Sequence, residues 1–234
     1  MHNMQRQKTL IAMADSEGAP HKGDGKSSLW DLCVILKYVV YSDTFELVEE
    51  CFHTFQFSMP KYLTRSSVSG PLKSHFKAID HLRLEYECDE VCFCFWNAPH
   101  DMAVLSYYDL GHVSNIDLLK VAKNTTNNKH ESYSIGNLCK EFGIETNVKI
   151  HSGIGDVIRM IKILPMVNIS NTETLLPFLN TKPKHKTKPK HKNKHVETNI
   201  THRIQNTPTT TTAKKTTHGS NIAALAIRLA KTKI

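Results

Sequence analysis

A mixed α/β domain, one sheet covered by helices on both faces, is what this sequence predicts. Three features carry that expectation. β-rich runs alternate with stretches whose apolar residues recur at helical spacing. The run Val91–Trp96 (VCFCFW) is apolar at every position, the pattern of a central strand buried on both sides. The chain of 234 residues, 40% apolar, can bury a core, yet it holds no apolar run of roughly 18 residues that would cross a membrane.

The elements read in order as follows. Thr9–Asp15 is a short apolar strand, and its stretch Leu10–Ala14 is too short for the core of a signal peptide. Leu32–Tyr41 and Thr44–Phe57 are two β-rich runs separated by Ser42 and Asp43, which predicts a hairpin. Between Val68 and Glu87, Leu72, Phe76, Ile79 and Leu82 recur at helical spacing. After the central strand Val91–Trp96, Pro99 fits the first position of a helix, with Asn97 or Ala98 as its cap. A weak strand is expected near Ile116–Ala122. Ile135, Leu138, Cys139 and Phe142 form a helical stripe that Gly143 stops. A last helix carries Ile154, Val157, Ile158 and Ile161 and ends at Pro165.

Charge divides the chain. Residues 167–234 hold 13 Lys+Arg and 2 Asp+Glu, leaving 17 and 20 for the rest: +11 against −3. A basic segment of this kind attracts polyanions by counterion release, nucleic acid being the commonest. TKPKHK at 181–186 repeats at 187–192, and NTPTTTTAKKTT follows, so residues 167–219 are expected to be a disordered basic tail. Ser220 could cap a short helix over 220–234 with Ile222, Leu225 and Leu229 on one face. His185, His191 and His195 in the tail read as part of the solvated arm before they read as metal ligands. The six cysteines lie mostly inside apolar runs without C-x-x-C spacing, as reduced core residues of an intracellular protein, cytoplasmic or nuclear.

Three short segments carry residues suited to chemistry. Asp15 and Glu17 stand at i and i+2 where the first strand ends, so their side chains share a face and can grip one cation. By itself such a D-x-E is more often an exposed acidic turn. Asp101 falls in the first turn of the helix after the central strand, where the helix dipole favours an acid and where α/β sheets gather ligands. His151 and Asp156 are five apart, which in one ideal helix sets them about 140° apart. Gly153 and Gly155 disfavour helix between them, so the histidine belongs on a mobile approach loop and Asp156 in the first turn. A histidine with that freedom suits a general base acting on a water.

Taken together and in this order, D-x-E, N-x-x-x-D and H-x4-D resemble the three motifs of the DEDDh 3′→5′ exonucleases, the superfamily of proofreading exonucleases and RNase T. NAPHDMAVL is similar to the second motif, usually HNAxFDxxxL, SIGNLCKEFGIE to the segment that precedes the third, and HSGIGDVIRMI to its H-x-G-[IL]-x-D form. The resemblance spans residues 8–166. It implies an RNase H-like fold with a mixed five-stranded sheet flanked by helices. It also implies two Mg²⁺ or Mn²⁺ ions held by Asp15, Glu17, Asp101 and Asp156, with His151 as base. The substrate would be DNA or RNA with a 3′ end, shortened by release of nucleoside 5′-monophosphates. The chemistry agrees, since hard cations prefer carboxylate oxygens and a pair of them about 4 Å apart steadies both oxygens of a displaced phosphate.

The chain departs from the family pattern at several places. Gly18, Ala19 and Pro20 replace the usual threonines after D-x-E. Trp96 stands in the place of the common histidine and His100 in that of the common phenylalanine. A basic insert, HKGDGK, occupies 21–26. These neighbours usually touch the terminal nucleotide, so substrate contacts are what the departures affect. Two other readings stay open at this level: a non-catalytic nucleic-acid-binding protein that keeps the fold, and a scaffold whose function lies in the tail. The HSGI form leans toward RNA, and DNA versus RNA is otherwise open.

Overall fold

The computed structural model describes residues 6–18, 29–61, 63–148 and 151–180. Lys8–Gly18 (β1), Leu29–Tyr41 (β2) and Leu47–Ser58 (β3) form an antiparallel meander. The helix Arg65–Glu85 (α1) then crosses to Glu90–Phe95 (β4), which runs parallel to β1. Ala98–Ser106 (α2) leads to Ser114–Asp117 (β5), parallel to β4. Leu118–Thr125 (α3), Ile135–Glu141 (α4) and Gly153–Ile163 (α5) follow, and Leu179–Asn180 (β6) pairs antiparallel with β5. The sheet order is β3-β2-β1-β4-β5-β6.

β1 and β4 sit at the centre because their sequences let them. Leu10 to Ala14 have no solvent exposure, and alternate residues feed two separate cores. Ile11 and Met13 pack with Cys92, Cys94, Val157 and Met160 under α3, α4 and α5. Leu10, Ala12 and Ala14 pack with Phe93, Phe95, Leu72 and Val104 under α1 and α2. This period-two division is what a continuous apolar strand between two helical layers requires. All six cysteines are buried, as their apolar surroundings led one to expect. Among the described residues no helix is long and apolar enough to cross a membrane.

Four expectations need correction. The sheet has six strands rather than five, the sixth being the two-residue β6. The packed body does not end at 166: 3-10 turns at Leu164–Val167 and Glu173–Phe178 bury Val167 and Leu175 and carry the chain to β6. Residues 167–180 are therefore not part of a disordered tail, while residues 181–219 and 220–234, with their histidines, lie outside the described residues. The weak strand expected over Ile116–Ala122 is two elements. Only 114–117 pairs with β4, and Leu118, Val121 and Ala122 are a helical stripe of α3. Finally, Gly153 and Gly155 lie inside α5, not in a loop before it.

Candidate active site

The five residues singled out in the sequence lie at one end of the sheet, where the parallel strands β1 and β4 finish. Asp15 and Glu17 are on β1, Asp101 is in the first turn of α2, and Asp156 is in the first turn of α5. His151 sits just before the α5 cap. A cleft of about 1760 Å³ opens there, with Asp15, Asp101, His151 and Asp156 on one side. Trp96, His100, Lys123, His130, Tyr133 and Lys140 line the rest. Small-molecule pockets fill about 300–1,000 Å³, so this one suits a polymer end better than a metabolite.

The helices are aimed by identifiable contacts. Pro99 occupies the start of α2 as the sequence predicted, with Asn97 at the cap position. Asp101 is buried and both donors of Ser16 converge on it: the backbone N–H at 3.0 Å and the hydroxyl at 2.7 Å, each to Oδ1. On α5, Ser152 is the cap, accepting at Oγ from the Gly155 N–H. The Gly153 N–H donates to Asp31 Oδ2 on β2 at 3.1 Å. A side chain at Gly153 would place its Cβ 3.0 Å from Cys33 N and 3.3 Å from the Asp15 carbonyl oxygen. Glycine is required here because the helix start lies directly on the strands, a tertiary demand that outweighs its poor helix propensity.

Gly153→Ala is therefore expected to destabilise the protein by about 1–2 kcal/mol, because the crowding atoms belong to the paired interior strands β1 and β2 and cannot give way. It should also lower activity, since α5 carries His151 and Asp156. A chemical denaturation curve beside a rate measurement checks both. Stability at or above the parent's would mean the strands yield.

Charge is the dominant feature of the cluster. One ligand atom each of Glu17, His151 and Asp156 lies within 4.8 Å of the others. Burial, then Asp101, Asp156, Glu17 and Asp31, push the Asp15 carboxyl up to about 8. Burial raises Asp101 to about 6 even though the Ser16 bonds and His100 pull the other way. Glu17 is also raised, by burial first and by Asp156 next, against the pull of His151 and Lys61. Carboxyls held above their ordinary range by burial and, at Asp15 and Glu17, also by neighbouring carboxylates mark a site short of positive charge. Hard oxygen donors in such a place fit divalent cations.

Three further residues belong to the site, and no motif announced them. Ser16 fixes Asp101. Asp31 faces Glu17 across the β1–β2 ladder and holds the start of α5. Arg159, buried in α5, donates from Nη1 to Asp156 Oδ1 at 2.8 Å and from Nη2 to the Val148 carbonyl. It thereby ties the carboxylate to the segment approaching His151. The i,i+3 spacing of Asp156 and Arg159 was the one signal in the sequence for any of these. Trp96 donates from Nε1 to the Tyr133 carbonyl at 2.7 Å and so braces the cleft wall.

No protein-family model and no curated protein matches this chain. Solved structures with a similar arrangement include cell-death related nuclease 4 (CRN-4). It shares 12% identity over 71% of this chain and 66% of its own, with a TM-score of 0.42. A full-length 3′-exonuclease gives 12%, 74%, 64% and 0.44 in the same terms. A 3′-exonuclease described for 3′-end specific recognition of a histone mRNA stem-loop gives 12%, 73%, 85% and 0.41. The chain spans just under two thirds of the first two. At 12% identity such likeness says nothing of chemistry, which rests on the side chains.

Proposed function

We propose that this protein is a metal-dependent 3′→5′ exonuclease of DNA or RNA, releasing nucleoside 5′-monophosphates. The observation that carries the reading is the convergence, from three distant segments, of Asp15, Asp101, Asp156 and His151 in one polymer-sized cleft, with Glu17 against His151 and Asp156. Asp15, Glu17, Asp101 and Asp156 would hold two Mg²⁺ or Mn²⁺ ions. Bound there, such ions acidify water and neutralise the charge that builds on a phosphodiester under attack.

The chain's own residues supply the rest. Ser16 and Arg159 hold one oxygen each of Asp101 and Asp156, and the second oxygen of each carboxylate would serve as the metal ligand. His151, exposed at the mouth, accepts the proton of the attacking water. Trp96 and Tyr133 wall the far side against solvent. Asp31 keeps α5 seated, so base and carboxylates stay in register.

The test is digestion of 3′- and 5′-labelled single- and double-stranded DNA and RNA with Mg²⁺, Mn²⁺ or EDTA. Stepwise shortening of 5′-labelled strands, stopped by EDTA, is the expected result. A non-catalytic binder would retain the strands without shortening them, and a scaffold would do neither.

The basic segment after Asn180 should act on binding and not on chemistry, because its lysines are far in sequence from the carboxylates. Deleting 181–234 is expected to weaken nucleic-acid binding and flatten its salt dependence. Every phosphate left without its lysine takes about 0.7–0.9 from the slope of log K against log salt. Deleting 181–219 alone controls for the last 15 residues. An unchanged slope in both deletions would assign the segment to a protein partner instead.

A further inference from the structure

We infer that Trp30, Lys61, Arg65 and Tyr107 form the path along which a single strand runs out from the carboxylate cluster, an assignment that rests on the exonuclease reading. At the Glu17 side of the site, the end of β1, the start of β2, the end of β3 and the start of α1 meet at one rim. Gly18 pairs with Leu29, and Asp31 with Ser58. The Met59 N–H donates to the Trp30 carbonyl at 2.8 Å, and the Leu29 N–H to Tyr108 Oη at 3.4 Å.

Two cation-on-aromatic pairs lie along this rim. Lys61 Nζ is 4.6 Å from the centre of the Trp30 ring, and Arg65 Cζ is 4.9 Å from that of Tyr107. Trp30 is the chain neighbour of Asp31, which pairs with Glu17 across the β1–β2 ladder. Both cations are exposed and both rings are half-buried.

Cations interleaved with aromatic rings are what an unpaired strand needs, since every phosphate carries charge and every base has a face to stack. A duplex offers the phosphates and hides the faces. A surface cation–π contact strengthens an association about two- to fivefold, whereas a stacked base is worth about five- to 150-fold. An arriving base can therefore take the ring, and the displaced ammonium can take the phosphate. Arg65 also pairs with Asp109 at 2.9 Å, but that carboxylate is exposed, and exposed pairs of this kind are weak enough for a phosphate to replace them.

The chain has two tryptophans and Trp96 braces the cleft, so Trp30 emission is read as the difference between the parent and Trp30→Phe. In EDTA, where no hydrolysis occurs, 12-nucleotide oligo(dT) or oligo(rU) should quench Trp30 emission, while thymidine 5′-monophosphate and a blunt 12-base-pair duplex should not. A response to one oligomer alone still supports the path and names the strand. The exposed pair Lys61→Glu with Arg65→Glu, made in the otherwise unaltered full chain, should raise the Kd for a fluorescein-labelled 12-mer about tenfold or more.

Absence of quenching, equal quenching by duplex or mononucleotide, or an unchanged Kd in the double variant each overturns the path. These readouts need no catalysis. Quenching without any nuclease activity would sink the exonuclease reading and leave the path standing. Nuclease activity with an unresponsive Trp30 would do the reverse.

Discussion

Asp15→Asn is expected to lose all detectable 3′→5′ hydrolysis and, without divalent cations, to melt at a higher temperature than the parent at pH 8. The two results share one cause. In the folded parent, burial and four neighbouring carboxyls hold the Asp15 proton up to about pH 8, whereas an unfolded chain releases it near pH 4. Between those values the folded state binds more protons than the unfolded state. Stability therefore falls as pH rises, by about 1.4 kcal/mol per pH unit for one such group. Asp101, held to about 6, adds to the slope over its lower part.

The metal-free parent should thus be more stable at pH 5 than at pH 8, and the asparagine variant, which has no proton to lose, should show a flatter profile. Saturating Mn²⁺ should restore the parent at pH 8, by about 2.7 kcal/mol at a hundred times its Kd, and the variant much less. Glu17→Ala, Asp101→Ala and Asp156→Ala should also abolish cleavage, each removing a metal ligand; the last two should cost some stability as well, since they leave Ser16 and the buried Arg159 without their carboxylate. The kinetic loss should exceed the hundred- to thousandfold typical of one missing hydrogen-bond donor. Thermal melts across pH, with and without Mn²⁺, check the first result. Near-parental rates in two or more of the four variants would show the site to be misassigned.

What could be seen in advance divides along a physical line. The alternation of apolar runs placed β1, the β2–β3 hairpin, α1, β4, α4 and α5, because burial on one face or both leaves a local period in the sequence, and Pro99 placed α2. Asp15, Glu17, Asp101, His151 and Asp156 stood out because each sits at the edge of such an element. Asp31 and Ser16 did not, since their roles exist only across a ladder or between helix and strand, and Arg159 left only its i,i+3 spacing from Asp156, which is common on any helix. The start of α5 was misread for the same reason: glycine weakens helix locally, and only the approach to Cys33 and Asp15 explains a glycine at its first position. The ordered stretch up to Asn180 was hidden by the tail's composition, which outweighed the buried Val167, Ile169 and Leu175.

His151→Ala should slow hydrolysis by about a hundred- to ten-thousandfold, the range for loss of a general base, while Mn²⁺ affinity changes little. Geometry sets this test apart from the carboxylate variants. An imidazole nitrogen lies within 4.8 Å of the carboxylate oxygens of Glu17 and Asp156, so a direct ligand and a base are separable only by measuring both quantities. A large fall in Mn²⁺ affinity by calorimetry would make His151 a ligand and remove it as the base. The backbone adds a second handle. His151 has φ of 57°, in the left-handed region that favours glycine, immediately before the Ser152 cap. Strain of that kind costs about 1 kcal/mol or more and persists where the side chain is needed in place. His151→Gly should therefore lose the same activity as His151→Ala while melting at a higher temperature than it. A side chain retained for packing alone would show the opposite: both variants would lose stability together, and the rate would follow the fraction folded.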